Sequence, residues 1–286
     1  MAPSYTLFSW EHSYFSGKVR AYLRYKSFYD DLGPGGFADI LATPELLSDL
    51  LEPSTGTRAV PQVKTSGGRW LQDSSEIIDT IEATHHKISV IPGRDCPKQR
   101  LTSYLIELLA DEWMLVYAFW ERWYYSLPTS VPNQLAFNAQ QWGGYLSPHL
   151  NGPERRLSAE AYFRTRMSLH EPEKATVGPV IGLVDLGVDE NTKPYWEASY
   201  HRIMGVLERH FGVHDFVLGG RPSLGDFALL GPLYAHIFRD AVPGYQLRLK
   251  YPLVAEWVER TNGVNALNAR SYGQRLYSLD ENKELV

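Results

Sequence analysis

The chain has 286 residues, 44% of them hydrophobic and 21% charged, which describes a folded protein with a sizeable core and no compositional pull toward disorder. A formal net charge of -5 and a pI of about 6.0 give no general attraction to nucleic acid or to an anionic membrane surface. The single cysteine, Cys96, excludes an intramolecular disulfide framework, CxxC redox chemistry and cysteine-zinc sites.

From Tyr5 to Arg24 the chain reads as a buried strand, a polar turn and an immediate helix. Tyr5, Leu7 and Phe8 make an apolar run of strand length, and Val19, Tyr22 and Leu23 share one side of a 3.6-residue helix that ends near Lys26. The turn between them carries Glu11, His12, Ser13, Tyr14, Phe15 and Ser16. A helix starting there offers unpaired backbone N–H groups and the positive end of its dipole, so an anion is favoured beside it. A hydroxyl at that point would hydrogen-bond a thiolate and keep it ionised at neutral pH. A lone turn histidine such as His12 is expected to face solvent.

After a polar connection from Asp30 to Gly36, Phe37 to Leu51 shows helical periodicity interrupted by Pro44, which predicts two short irregular pieces. Ala59 to Lys64, the Ser66-Gly67-Gly68 turn and Arg69 to Gln72 predict a hairpin. Pro61 is awkward inside its first strand; placed in a pocket wall, with a cis Val60-Pro61 bond, it would leave the Val60 backbone free to pair with a peptide-like ligand. Asp73 and Ser74 then open a helix carrying Ile77, Ile78 and Ile81, at an end that again favours a carboxylate.

Pro92, Gly93 and Pro97 punctuate a stretch without periodicity, so 86–97 reads as a linker between residues 1–85 and 98–286. Lys98 to Tyr125 is a long helical pattern rich in large side chains, among them Trp113, Tyr117, Trp120 and Tyr124, and Pro128 ends it. Their spacing makes core packing the leading role for most of them, with one or two reaching a pocket. Further helices are predicted at Gln134–Tyr145, Pro153–Ala175, Lys193–Phe211, Leu224–Phe238 and Leu253–Arg260, with a capping box at Ser223-Leu224-Gly225-Asp226. His85, His86, His210 and His214 lack the spacing of a zinc site, so no metal is expected. No apolar run reaches the roughly 18 residues of a membrane-spanning helix. The N-terminus lacks a basic region followed by a long apolar one, and a cytoplasmic location is expected.

The Phe8–Arg20 strand-turn-helix, the Val60-Pro61 step, the Asp73-Ser74 helix start, the linker and the Ser223–Asp226 box, in that order, resemble a cytosolic glutathione transferase from Tyr5 to about Asn262. The resemblance implies a thioredoxin-like α/β N-terminal domain that binds glutathione, and an all-helical C-terminal domain that completes a hydrophobic acceptor pocket. Within the family the turn is similar to the serine-type classes: counting back from Lys18-Val19-Arg20 places the catalytic hydroxyl on Ser13, with Tyr14 and Ser16 as alternatives. The chain departs from cysteine-bearing omega-type members, which argues against exchange through an enzyme cysteine.

Carried over position by position, the Val60 backbone beside Pro61 would pair with the cysteinyl part of glutathione, and Asp73 and Ser74 would hold the γ-glutamyl group. Arg58, ahead of Lys64, would meet the glycine carboxylate. Phe15, Trp113, Tyr117 and Trp120 would line the acceptor pocket. The resemblance thus implies a homodimeric transferase using glutathione as co-substrate against a hydrophobic electrophile by conjugation, peroxide reduction, ether cleavage or isomerisation. The rival is a glutathione-transferase-like module that binds without turnover. The segment from Ser126 to Gly152 reads as an insertion that would cover the pocket or extend a dimer contact.

Overall fold

Strand β1 (Tyr5–Ser9) is the second strand of a four-stranded sheet of order β2-β1-β3-β4, completed by β2 (Phe37–Leu41), β3 (Gln62–Thr65) and β4 (Trp70–Gln72). β2 runs parallel to β1, while β3 is antiparallel to both β1 and β4. Leu7, Val63 and Leu71 share one rung across three strands and are fully or nearly fully buried. Helix α1 (Tyr14–Phe28) and helix α4 (Ser74–Thr84) complete this core with Val19 and Leu23, and with Ile77, Ile78 and Ile81. The computed structural model describes residues 2–126, 134–166, 186–189 and 191–263. The predicted helix stop at Pro128, the side chain of Tyr124 and the end of the predicted Pro153–Ala175 helix lie outside the described residues.

One element departs from the sequence reading. Phe37–Leu41, assigned there to an irregular helical piece, is β2, paired from Phe37 opposite Tyr5 to Leu41 opposite Ser9. The strand satisfies its backbone by parallel pairing with β1, a partner that local periodicity does not reveal. The irregular part is confined to the short helix α2 (Pro44–Leu46), a π-helical turn (Leu47–Leu51) and the short helix α3 (Glu52–Thr55). The hairpin strand begins just after Pro61, which is therefore spared a ladder position, and the Val60-Pro61 bond is cis.

After α4 ends at Thr84 the regular elements among the described residues are helical: α5 (Pro97–Leu108) continues through a π-helical turn (Leu109–Met114) into α6 (Leu115–Tyr124). There follow α7 (Leu135–Leu146), α8 (Gly152–Arg166), α9 (Lys193–Phe211), α10 (Leu224–Pro232), a π-helical turn (Leu233–Phe238), α11 (Ala241–Lys250) and α12 (Pro252–Asn262). None of these described helices is long and apolar enough to cross a membrane. α1 packs on α10, with the Tyr22 ring edge-on to Phe227. A Cβ at Gly231 would stand 3.1 Å from the Tyr14 ring, so a side chain there would push that ring aside by a few tenths of an ångström.

Buried ion pairs join the two halves. Lys18, without exposure, lies 2.8 Å from Glu107 and 2.7 Å from Asp111, both beyond the linker. Lys26 meets Asp31 and Glu82 and donates to the carbonyls of His85 and Ile88, which ties α1 to the connecting segment. Removing one partner of such a pair leaves an uncompensated buried charge, a cost of about 3–5 kcal/mol.

Candidate active site

Ser13 is the N-cap of α1, in extended backbone conformation, and its Oγ accepts from Ser16 N–H at 3.3 Å. Its own hydrogen goes to the Val60 carbonyl at 3.1 Å, so the hydroxyl bridges the helix start and the residue before the cis proline. The two neighbouring hydroxyls are held elsewhere. Tyr14 is buried and donates to the Ala110 carbonyl, and burial raises its phenol well above the usual range. Ser16 is fully buried, and its Oγ accepts from Trp10 N–H at 3.1 Å. Of the three, Ser13 alone is partly exposed.

Ser13 borders a cavity of about 220 Å3. Trp10, His12, Phe15 and Val60 supply one side of it, Leu115 and Phe119 of α6 another, and Trp142, Tyr145 and His236 the rest. A second cavity of about 210 Å3 shares Trp10, Val60 and Tyr145 with the first and continues past Ala42, Pro44, Gln140, Gln141 and Arg155. The two are halves of one groove, apolar beside Ser13 and more polar beyond Val60. Trp10 stacks on Tyr145 with the rings 3° from parallel and meets Trp142 edge-on, so the aromatic divide between the halves is built jointly by the β1–α1 turn and α7. The insertion read at 126–152 thus carries walls of both halves: Gly144 packs on Pro44, and Arg58 Nη1 donates to the Tyr145 carbonyl at 3.4 Å.

Among the other predicted positions, Gln62 pairs with Gln72 across β3 and β4, so Asp73 and Ser74 follow the rung next to Pro61 and start α4 at the same edge of the sheet. Asp73 is exposed with a positive φ of 66°, and its carboxylate accepts from Ser75 and Glu76 N–H at 2.9 and 3.2 Å. Ser74 is buried. Arg58 is half-buried against the Tyr145 ring and 3.5 Å from Glu52.

Trp113, Tyr117 and Trp120 do not line the cavity beside Ser13, which corrects their assignment as its walls. Trp113, 45% exposed, packs on Trp196, Tyr117 stacks on Tyr200 at 4.0 Å, and Lys193 lies over the Trp120 ring. At spacings of four and three residues they share the helix face turned to α9, whereas Leu115 and Phe119 share the face turned to the groove. The Tyr117 hydroxyl donates to Glu121, whose carboxyl burial pushes up to about 7.

His12 overturns the expectation of a solvent-facing ring. It is 1% exposed, with Nε2 3.0 Å from Asn138 Oδ1 on α7. His236, also buried, lies 3.1 Å through Nε2 from Nη1 of Arg122. Arg122 is fully buried, binds Asp240 in a fork at 2.8 and 3.0 Å and donates to the carbonyls of His12 and Ala235. Burial first, then the Arg122 charge, holds both imidazoles well below the usual histidine range. Trp10, Leu115, Phe119, Trp142, Tyr145 and His236 had no local signal in the sequence; a 3.6-residue count on α6 separates its two faces but does not say which one meets the groove.

A sequence profile of the glutathione S-transferase N-terminal domain matches residues 7–88, and one of the C-terminal domain matches residues 159–260, together more than half of the chain. Among solved structures, the β-etherase LigF from Sphingobium sp. strain SYK-6 is 16% identical, with a TM-score of 0.56, over 94% of this chain and 98% of its own. A glutathione S-transferase from Rhodospirillum rubrum F11 is 12% identical, with a TM-score of 0.52, over 96% of this chain and 94% of its own. Rice GST1, solved in complex with glutathione, is 16% identical, with a TM-score of 0.50, over 98% of this chain and 95% of its own. At these identities the likeness is one of fold. No curated protein matches the chain in sequence.

Proposed function

The chain belongs to the glutathione S-transferase superfamily, and on that premise we propose that it is a serine-type glutathione transferase in which Ser13 keeps the glutathione sulfur ionised for attack on a hydrophobic electrophile. The observation that carries this reading is the placement of Ser13. Its hydroxyl sits at a helix N-terminus, borders the groove, and gives its hydrogen to the carbonyl of Val60, a residue that also lines the groove.

An ordinary thiol, with a pKa of about 8.5, is mostly protonated at neutral pH, while the attacking species is the thiolate. Lowering that value by two units takes roughly 2.7 kcal/mol of preference for the charged form. A hydroxyl-to-thiolate hydrogen bond supplies about 1.5–3 kcal/mol, and the N-terminus of α1 adds about 0.3–1 kcal/mol. An amide N–H of a peptide-like ligand paired to the Val60 carbonyl would displace the Ser13 hydroxyl and release its hydrogen for the sulfur.

In this reading Arg58 meets the glycine carboxylate, Val60 beside Pro61 pairs with the cysteinyl unit, and Asp73 and Ser74 hold the γ-glutamyl group. Phe15, Leu115 and Phe119 supply the apolar wall for the acceptor. Ether cleavage stays among the chemistries to assay, because a β-etherase shares the fold. A cytoplasmic homodimer completes the picture, the second copy meeting Leu101, Leu105 and Leu108, which lie exposed at helical spacing on α5.

The test compares glutathione-dependent turnover of a generic aryl halide by the wild-type protein and Ser13→Ala. A fall of roughly 10- to 150-fold, the equivalent of about 1.5–3 kcal/mol, is expected. Retention on glutathione resin without turnover of any electrophile would instead identify a binding module.

A further inference from the structure

The turn that carries Ser13 is held from the other half of the chain. Locally, Ser13 N–H reaches the Trp10 carbonyl at 3.1 Å and Trp10 N–H reaches Ser16 Oγ at 3.1 Å. The next two carbonyls both go to arginines. Arg239 Nη1 donates to the carbonyl of Glu11, and Arg122 Nη1 donates to the carbonyl of His12 at 3.0 Å. The His12 carbonyl belongs to the planar peptide group that enters Ser13, so a bond that fixes it also fixes how the Ser13 side chain leaves the backbone.

Arg122 is fully buried on α6, and its five N–H groups meet five acceptors: both oxygens of Asp240, Nε2 of His236, and the carbonyls of Ala235 and His12. Asp240, 1% exposed, supplies the opposite charge that keeps the guanidinium paired in the interior. Charge balance and the attachment of α6 to the start of α11 are complete with Asp240 and Ala235; the bond to His12 adds nothing to either and ties in the Ser13 turn. Arg239, the neighbour of Asp240, grips the same turn one residue earlier. It also lies 3.5 Å from the Glu11 carboxylate, whose other oxygen is 2.8 Å from Arg20 of α1.

We infer that Arg122 and Arg239 are positioning residues for Ser13, a clamp on two consecutive carbonyls that holds its hydroxyl where the sulfur is bound. Because α6 also carries Leu115 and Phe119 of the groove wall, one helix sets both the hydroxyl and the acceptor wall. This inference deepens the transferase reading and rests on it for the role of Ser13.

Arg122→Met combined with Asp240→Leu removes both buried charges together, a replacement that commonly leaves stability near its starting value. With glutathione bound, the ultraviolet absorbance of the thiolate should titrate about one unit higher than in the wild-type protein, and kcat/KM should fall roughly tenfold. A merely structural pair would lower activity whatever stands at position 13. The clamp acts through Ser13, so in a Ser13→Ala background the same two substitutions should change kcat/KM by less than about twofold. Amide hydrogen exchange reads the positioning without turnover: it should quicken roughly tenfold at Ser13 and Ser16, while Leu224 N–H, bonded to the Val90 carbonyl at the start of α10, should keep its rate. Should the double variant fail to fold, Arg239→Met, which frees the Glu11 carbonyl from a side chain 27% exposed, should give the same changes in smaller size. Unchanged exchange at Ser13 and Ser16, additive losses in the Ser13→Ala background, or an unmoved titration where Ser13→Ala moves it overturns the clamp. Quickened exchange together with a titration that Ser13→Ala leaves in place keeps the clamp on the turn and removes the transferase reading of Ser13.

Discussion

Helices α1 and α10 are each capped by a serine, and the two starts have opposite characters. Ser223, fully buried, donates through N–H and Oγ to Asp226 Oδ2, each at 2.9 Å. The other oxygen of Asp226 takes Val217 N–H at 2.8 Å and Trp257 Nε1 at 3.0 Å. Ser13 also caps a helix, yet it is partly exposed, borders a groove and gives its hydrogen to the carbonyl of Val60, which lines the same groove. The same residue type at the same helical position is closed into the core in one case and left available in the other. Access and spare hydrogen-bonding capacity, rather than the serine itself, separate a folding device from a chemical group.

The largest expected effect would expose that difference directly. Asp226→Ala leaves the N–H groups of Val217 and Ser223 and the Trp257 indole buried without their acceptor, at about 1–3 kcal/mol each. Urea denaturation should show a loss of about 3–5 kcal/mol. Ser13→Ala should cost only about 1 kcal/mol, the ordinary price of a lost cap. Equal losses at the two sites would erase the distinction.

The second effect concerns chemistry. With glutathione bound, ultraviolet absorbance of the thiolate should titrate about 1–2 units higher in Ser13→Ala than in the wild-type protein. Tyr14→Phe should leave that titration where it was, because the Tyr14 hydroxyl is committed to the Ala110 carbonyl. A shift in Tyr14→Phe alone would transfer the role to the tyrosine.

Stability should also respond to pH in opposite directions at the two starts. Burial pushes the Asp226 carboxyl up to about 6, so its contribution is complete below the unfolded carboxylate value and is lost as pH rises through about 6. His12, one residue before Ser13, is held below its unfolded value of about 6.5 by burial and by the charges of Arg122 and Arg239. Arg122 donates to its carbonyl, His236 borders the same groove, and Glu11, its chain neighbour, is paired with Arg20 and Arg239. Its contribution is complete above about 6.5 and is lost as pH falls through the folded value. The stability difference between wild type and His12→Leu should therefore shrink below pH 6.5, at no more than about 1.4 kcal/mol per pH unit. A difference constant from pH 7 to pH 5 would mean that the buried ring is not kept neutral.

What the sequence made legible was local. The strand-turn-helix around Ser13, the proline after Val60 and the Asp73 cap follow from neighbours within a few positions, and the structure places their backbones on one edge of the sheet. What it hid was set at a distance. β2 depends on a ladder with β1, and the burial of His12 depends on Asn138, 126 residues away on α7. Residues 89–158 fall between the two matched family spans, and they include Leu115, Phe119, Trp142 and Tyr145. The groove wall built by α6 and α7 thus lies outside the spans that the family pattern marks.

The smallest expected effect separates the two faces of the helical run from the Leu109–Met114 turn through α6. Trp113→Ala removes an exposed ring lying on Trp196, a contact worth about 0.5–1.5 kcal/mol, and should leave the KM for an apolar electrophile unchanged. Phe119→Ala removes wall from the groove and, through the ring stacked on it, support from His236, so it should raise that KM. Stability alone cannot distinguish the two variants, since both shed aromatic packing; the KM comparison can. If Trp113→Ala raised KM while Phe119→Ala did not, the acceptor would lie on the α9 side of α6, and the groove beside Ser13 would have another occupant.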